Sequence, residues 1–266
     1  MVFGCTLFGA YSNRVLIPAL QLRRIPNGWE TSQAAAVPTV SLTALYALRL
    51  AGFHPTVSVG NNKAVLVHSA AGGVGSMLVQ MSKILNLGPI VGVVGDPSKI
   101  AEATAMGCDY VIDKSTEDLW SMAERHRPGG YAAIMDANGV STLSQSYQHL
   151  APTGRLIVFG FHSNLPLGKA MLSPLEWIKM AFKLNRMPKF DPMDLTVSNK
   201  SVLGFNLSFF ADEKELVSEM FDTVVGWMEK GKLRCPRVML YDVDNIGQAH
   251  EMIQSGKSVG KIVIEL

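Results

Sequence analysis

Residues Ala64 to Gly75, AVLVHSAAGGVG, run as a short apolar strand into a glycine-rich turn, and a helical pattern follows at once. Ala70, Gly72 and Gly75 fall at the spacing of the dinucleotide fingerprint. In that motif the first small residue makes the tight turn, the second lets the backbone approach a pyrophosphate, and the third lets the helix pack on the strand. The context fits as well. Ser76 to Leu85 carries Met77, Leu78, Met81, Ile84 and Leu85 at helical spacing, and a second apolar strand, Ile90 to Val94, arrives where a βαβ unit needs it. The segment therefore predicts a nucleotide-binding βαβ unit.

With 266 residues, 48% hydrophobic and 17% charged, the chain can bury one large or two modest cores. A net charge of +2 from 24 basic and 22 acidic residues, without a dense basic cluster, argues against nucleic acid as a partner. Cys5, Cys108 and Cys235 are odd in number and far apart, so they encode neither a disulfide framework nor a cysteine zinc site, and they fit a reducing, cytoplasmic setting. No uncharged run reaches the roughly 18 apolar residues that a membrane helix requires. The opening MVFGCTLFGAYS lacks a basic leader and is broken by glycines, so it reads as strand and turn rather than signal peptide.

From residue 64 onward, strand and helix patterns alternate, which predicts an α/β fold: a doubly wound parallel sheet with helices on both faces. Strands are expected at Tyr110 to Asp113, Tyr131 to Asp136 and Arg155 to Gly160, with helices around Glu117 to His126 and Ser141 to Leu150. Asp96-Pro97 reads as the start of another helix, closed by Gly107. Ser173 to Leu184 predicts an amphipathic helix, which packs on the chain's own core in preference to a membrane surface. Ser201 to Leu207, Glu213 to Glu229 before Gly231, and Lys261 to Glu265 read as strand, helix and strand.

On these residues the chain resembles the zinc-independent quinone oxidoreductases of the medium-chain dehydrogenase/reductase superfamily. The likeness runs nearly end to end, through HSAAGGVG, SQAAAVPTVSLTALYAL (Ser32 to Leu48), the DANG turn (Asp136 to Gly139), LAPTGRLIVFGF (Leu150 to Phe161) and VGKIVI (Val259 to Ile264). The stretch from Pro188 to Phe210 is similar to a branch of vesicle-membrane proteins. The resemblance implies a Rossmann domain over 37–236, with 1–36 a remnant of a GroES-like catalytic domain and 237–266 returning to it. It also implies an N-terminally shortened chain, which would bind its cofactor yet reduce quinones poorly because half of the substrate pocket is missing.

The cofactor can be read from the end of the second strand. An acidic residue there would hydrogen-bond a ribose 2′-hydroxyl, but Val94 occupies the place, so a 2′-phosphate meets no repulsion and Lys99 can neutralise it. The expectation is NADP(H), with Asp96 serving as a helix cap. By resemblance, Ser98 joins Lys99 at the 2′-phosphate, Gly73 and Val74 lie along the pyrophosphate within a cofactor-binding turn that also holds Ala71, Gly72 and Gly75, and Phe159, Gly160 and Phe161 border the nicotinamide ribose. Tyr46 either reaches toward the cofactor or belongs to the core, and Lys114 stands where relatives carry an aromatic. No metal site is expected, because the six histidines are dispersed. His68 reads as a packed histidine and His162 as a candidate proton donor. The implied activity is NADPH-dependent reduction of a quinone or enone. The alternative is a non-catalytic NADP-binding or vesicle-associated module. Strand 200–210, with Val202, Leu203, Phe205 and Leu207, is expected to pair edge to edge in a homodimer.

Overall fold

The computed structural model of the protein describes residues 1–6, 8–56, 62–161, 177, 182, 185–210 and 213–266. In chain order its elements are β1 (Val2–Gly4), β2 (Leu22–Arg24), α1 (Thr31–Ala36), α2 (Pro38–Leu50), β3 (Val65–His68), α3 (Gly73–Ile84), β4 (Ile90–Val94), α4 (Ile100–Met106), β5 (Tyr110–Asp113), α5 (Leu119–His126), β6 (Tyr131–Asp136), α6 (Leu143–Gln148), β7 (Leu150–Val158), α7 (Pro192–Ser198), β8 (Ser201–Gly204), α8 (Lys214–Glu229), β9 (Val238–Asp242), α9 (Ile246–Gln254) and β10 (Lys261–Glu265). The central sheet has six parallel strands in the order β5-β4-β3-β6-β7-β8. The chain winds outward from β3 on one side and from β6 on the other, so the switch point falls between the carboxyl ends of these two strands. A doubly wound sheet holds its ligands there.

The strands are apolar on both faces because helices cover both. Val65, Val67, Ile90, Met135 and Ile157 pack against α2, α3 and α8, while Leu66, Val91, Ile112, Ile134 and Leu156 pack against α5 and α6. The first of these layers reaches the small β1-β2 pair. There Phe3 meets Phe221 edge-on at 5.2 Å, and Arg23 Nε donates to Asp222 Oδ1 at 2.6 Å. β9 and β10 form a separate parallel pair, tied to the glycine turn by a hydrogen bond from Gly260 N to Ala71 O of 2.8 Å.

The sequence patterns and the elements differ at several ends, each for a local reason. α3 begins at Gly73 rather than Ser76, because the glycine turn itself forms the first helical turn. β7 starts at Leu150, not Arg155: Leu150 pairs with Tyr131, and the register then shifts before Ala133 pairs with Arg155. Gly154 permits this shift, since a Cβ there would lie 2.7 Å from both Ala151 O and Tyr131 O. α6 is correspondingly shorter than the helix expected over 141–150. α5 begins after Asp118, whose carboxylate accepts from Ser121 N at 2.8 Å. The strand expected over 201–207 stops at Gly204, where Asn206 takes the Ser208 amide at 3.0 Å and opens a 3₁₀ turn. The helix expected over Ser173 to Leu184 lies, apart from residues 177 and 182, outside the described residues, as does His162.

Candidate functional site

A cavity of about 640 Å³ opens above the switch point. Its floor is the turn between β3 and α3, where Gly72 N donates to Ser69 O at 2.9 Å and Ser76 N donates to Gly72 O at 2.8 Å as the first helical bond. The amides of Gly73, Val74 and Gly75 precede that bond, so the first turn of α3 presents N–H groups with no helical acceptor. Glycine is required here by contact. A Cβ on Gly75 would come within 2.2 Å of Ser69 O and 2.8 Å of Ala70 Cα, which is the close strand-helix approach expected of the motif's third glycine.

At one end of the cavity β4 finishes at Val94 and Lys99 lines the wall, its Nζ donating to Gly256 O at 2.6 Å. Partial burial holds the Lys99 ammonium below its usual range, opposed by the neighbouring Asp96 charge. Asp96 is already occupied. Its Oδ1 accepts from Ser98 N at 2.9 Å and Ser98 Oγ at 2.6 Å, bonds that hold this exposed carboxyl below its usual range. Asp96 is therefore the cap that the sequence implied. Lys114, at the end of β5, also lines the cavity.

Not every expected site residue reaches this wall. Ala71, Gly72, Gly73, Val74, Gly75, Lys99 and Phe159 line it. Tyr46 does not: its half-buried ring stands edge-on to Phe205 at 4.9 Å and Phe210 at 4.6 Å. Ser98 also falls outside the lining, its hydroxyl turned to Asp96. Gly160 sits against Ala137 instead, and Phe161 is exposed to solvent. The largest omission from the sequence reading is the opposite wall, built from Ile253 to Ile262. Gly260 fixes this segment. Its φ is +68°, and a Cβ would collide with Arg237 O at 2.0 Å.

Behind the cavity lies a buried polar network. Asp136, at the end of β6, accepts from Asn138 N at 2.8 Å and Gly139 N at 3.2 Å on Oδ1, and from Thr142 Oγ1 at 2.7 Å and Ser146 Oγ at 2.9 Å on Oδ2. Because the Ser146 hydroxyl donates to Asp136, its oxygen accepts from His68 Nε2 at 3.2 Å, which places the imidazole proton on Nε2. Complete burial pushes the His68 imidazole below its usual range against the pull of Asp136. His68 is thus the packed histidine that the sequence implies, bonded to the Ser146 hydroxyl, and Thr142 and Ser146 carry no sequence signal that joins them to it.

Among the described residues, no three of His, Cys, Asp and Glu converge as a metal-ligand set. No described helix is long and apolar enough to cross a membrane.

The family model that matches this chain is that of the zinc-binding dehydrogenases, over residues 73–222. The chain is 28% identical over 259 residues to the synaptic vesicle membrane protein VAT-1 homolog of Danio rerio, covering 96% of this chain and 51% of that protein. It is 26% identical over 257 residues to a quinone oxidoreductase of Pseudomonas aeruginosa, covering 96% of this chain and 71% of that protein. A mycobacterial protein solved in complex with NADPH superposes with a TM-score of 0.72 at 26% identity, covering 94% of this chain and 69% of that one. The chain thus spans about half the length of its zebrafish relative.

Proposed function

We propose that this chain, which belongs to the zinc-binding dehydrogenase family of the medium-chain dehydrogenase/reductase superfamily, is an NADPH-dependent oxidoreductase that reduces a quinone or an α,β-unsaturated carbonyl without zinc. One observation carries the reading. A single cavity joins the first-turn amides of α3 to Lys99, and no carboxylate ends the second strand of the βαβ unit to oppose a 2′-phosphate. The residues fit the cofactor: Gly73, Val74 and Gly75 would take the pyrophosphate, Lys99 the 2′-phosphate and Phe159 the nicotinamide side. NADPH, when bound, supplies the hydride. The protein then has to align the two reactants and exclude water, which needs neither a nucleophile nor a metal. Zinc independence rests on the sequence, in which the three cysteines and six histidines are dispersed and not set at metal-ligand spacing. The NADPH-bound mycobacterial protein and the Pseudomonas quinone oxidoreductase support the assignment. The free cysteines suit a reducing cytoplasm.

The test is titration of Trp fluorescence with NADPH and NADH alongside quinone-dependent NADPH oxidation. A hydrogen bond to a charged group contributes about 1.5–3 kcal/mol. Lys99→Ala is therefore expected to weaken NADPH by about 10- to 150-fold and to leave NADH nearly unchanged. Equal losses would remove the basis for NADP selectivity. Tight NADPH binding with slow turnover is the result expected of the shortened chain, and only the complete absence of quinone or enone reduction would favour a non-catalytic module.

We also propose a homodimer joined along β8. This strand is at the sheet edge, with Val202 packed on one face and Leu203 on the other, so it presents an unpaired ladder. Phe205 N donates inward to Val158 O, so the alternate amide of Leu203 also points inward and that of Gly204 points out. Gly204→Pro deletes one outward donor without removing a packed side chain. Light scattering is expected to show a dimer that becomes a monomer in the variant; unchanged mass would exclude this edge.

A further inference from the structure

The cavity is lined by a further cation besides Lys99 and Lys114, on the wall that faces the glycine turn. Lys261 opens β10, in the wall opposite the glycine turn, and its stem lies against the first residue of α3: a Cβ on Gly73 would be 3.6 Å from Lys261 Cδ and 3.3 Å from Gly260 O. The placement is fixed from both sides. Gly260 N donates to Ala71 O at 2.8 Å, and Lys261 N donates to Arg237 O at 2.8 Å. The ammonium has no counter-charge, since among the described residues no carboxylate lies within 4.0 Å of Nζ and no hydrogen bond reaches it.

Burial alone pushes the Lys261 ammonium below its usual range, with no nearby charge opposing it. A cation drawn out of water without a partner is costly in the empty protein, and an anion beside it recovers that cost. The amides of Val74 and Gly75 in the first turn of α3 have no helical acceptor and line the same cavity, so one anion can meet both them and the ammonium. The 2′-phosphate has its own candidate, Lys99, at the β4 end of the cavity.

We infer that Lys261 is a pyrophosphate-binding residue, so that the C-terminal strand closes the cofactor site over the glycine turn and contributes to affinity for NADPH and NADH alike. This rests on the proposed dinucleotide site but assigns the opposite wall a part in it. A diphosphate between Gly73 and Lys261 would receive backbone amides on one side and an ammonium on the other, a pairing of about 10- to 150-fold in affinity for one charge-assisted hydrogen bond.

The experiment compares wild type, Lys261→Met and Lys261→Arg by calorimetric titration with NADPH, NADH and ADP-ribose, together with thermal unfolding of each ligand-free protein. Met keeps the stem and removes the charge. The expected result is a loss of about 10-fold or more for all three ligands in Lys261→Met, largely restored by Lys261→Arg. The ligand-free Met variant should melt no lower than wild type, because it has lost a half-buried charge without a counter-charge. A merely structural lysine would do the reverse, lowering the melting temperature with affinity following it. Unchanged affinities overturn the inference, and a loss confined to NADPH does so too, by moving Lys261 to the 2′-phosphate. If wild type binds none of the three ligands, the dinucleotide reading fails and takes this inference with it.

Discussion

Gly75→Ala is expected to destabilise the protein by about 3 kcal/mol, the upper part of the range for overpacking a close-packed site, and to abolish measurable NADPH binding. The added methyl would lie 2.2 Å from Ser69 O, 2.8 Å from Ala70 Cα and 2.9 Å from Ser69 C. All three are backbone atoms, so no rotamer change relieves the overlap. β3 and α3 must move apart, and that motion opens the turn whose amides face the cavity. For a chain of this size the loss corresponds to a fall of roughly 6–12 °C in melting temperature. Gly226→Ala supplies the control. It sits within α8 with nothing inside 4 Å of the added atom, and is expected to be neutral or stabilising by up to about 1 kcal/mol. If Gly75→Ala melted with wild type and bound NADPH normally, the strand-helix contact would not be what requires glycine there.

The same turn shows why part of the fold was legible in the sequence. Residues 64 to 136 follow a local grammar: strands buried on both faces read as unbroken apolar runs, Asp96 caps the 3₁₀ turn that leads into α4, and Gly107, whose φ is +118°, ends that helix. β4, β5 and β6 accordingly span the residues expected of them. β7 was obscured because Pro152 and Gly154 look like a turn while the backbone in fact carries a register shift. The cavity's second wall was hidden for a different reason. VGKIVI announces a strand but not its neighbour, and only the bond from Gly260 to Ala71 brings it to the glycine turn. Tyr46 illustrates the limit of periodicity, because its helical spacing fitted core and ligand equally well. In the structure its half-buried ring packs on Phe205 and Phe210, which are distant in sequence.

Asp136 ends the strand expected over 131–136 and opens the DANG turn, and its replacement is expected to be the most damaging single change outside the glycine turn. The carboxylate is fully buried and accepts two backbone amides and two hydroxyls. Asp136→Ala leaves these donors without an acceptor and removes the anion 3.7 Å from His68 Nε2, at an expected cost of about 3–5 kcal/mol in urea unfolding. Asp136→Asn tests the network more finely. Its carbonyl can still accept from Asn138 N and Gly139 N, but its NH₂ now meets Thr142 and Ser146, whose hydroxyls must turn round. Ser146 can then donate to His68 Nε2 only if the imidazole proton moves to Nδ1, an atom buried without a hydrogen-bond partner among the described residues. The expected cost of the Asn variant is therefore intermediate, about 2 kcal/mol, and its ¹⁵N spectrum should show the His68 tautomer exchanged. Asn138 lines the cavity and is tethered by this carboxylate, so both variants should also weaken NADPH, the Ala form more. An Ala variant within about 1 kcal/mol of wild type would mean that the donors find other acceptors, and that Asp136 does not hold the end of β6 against the cofactor site.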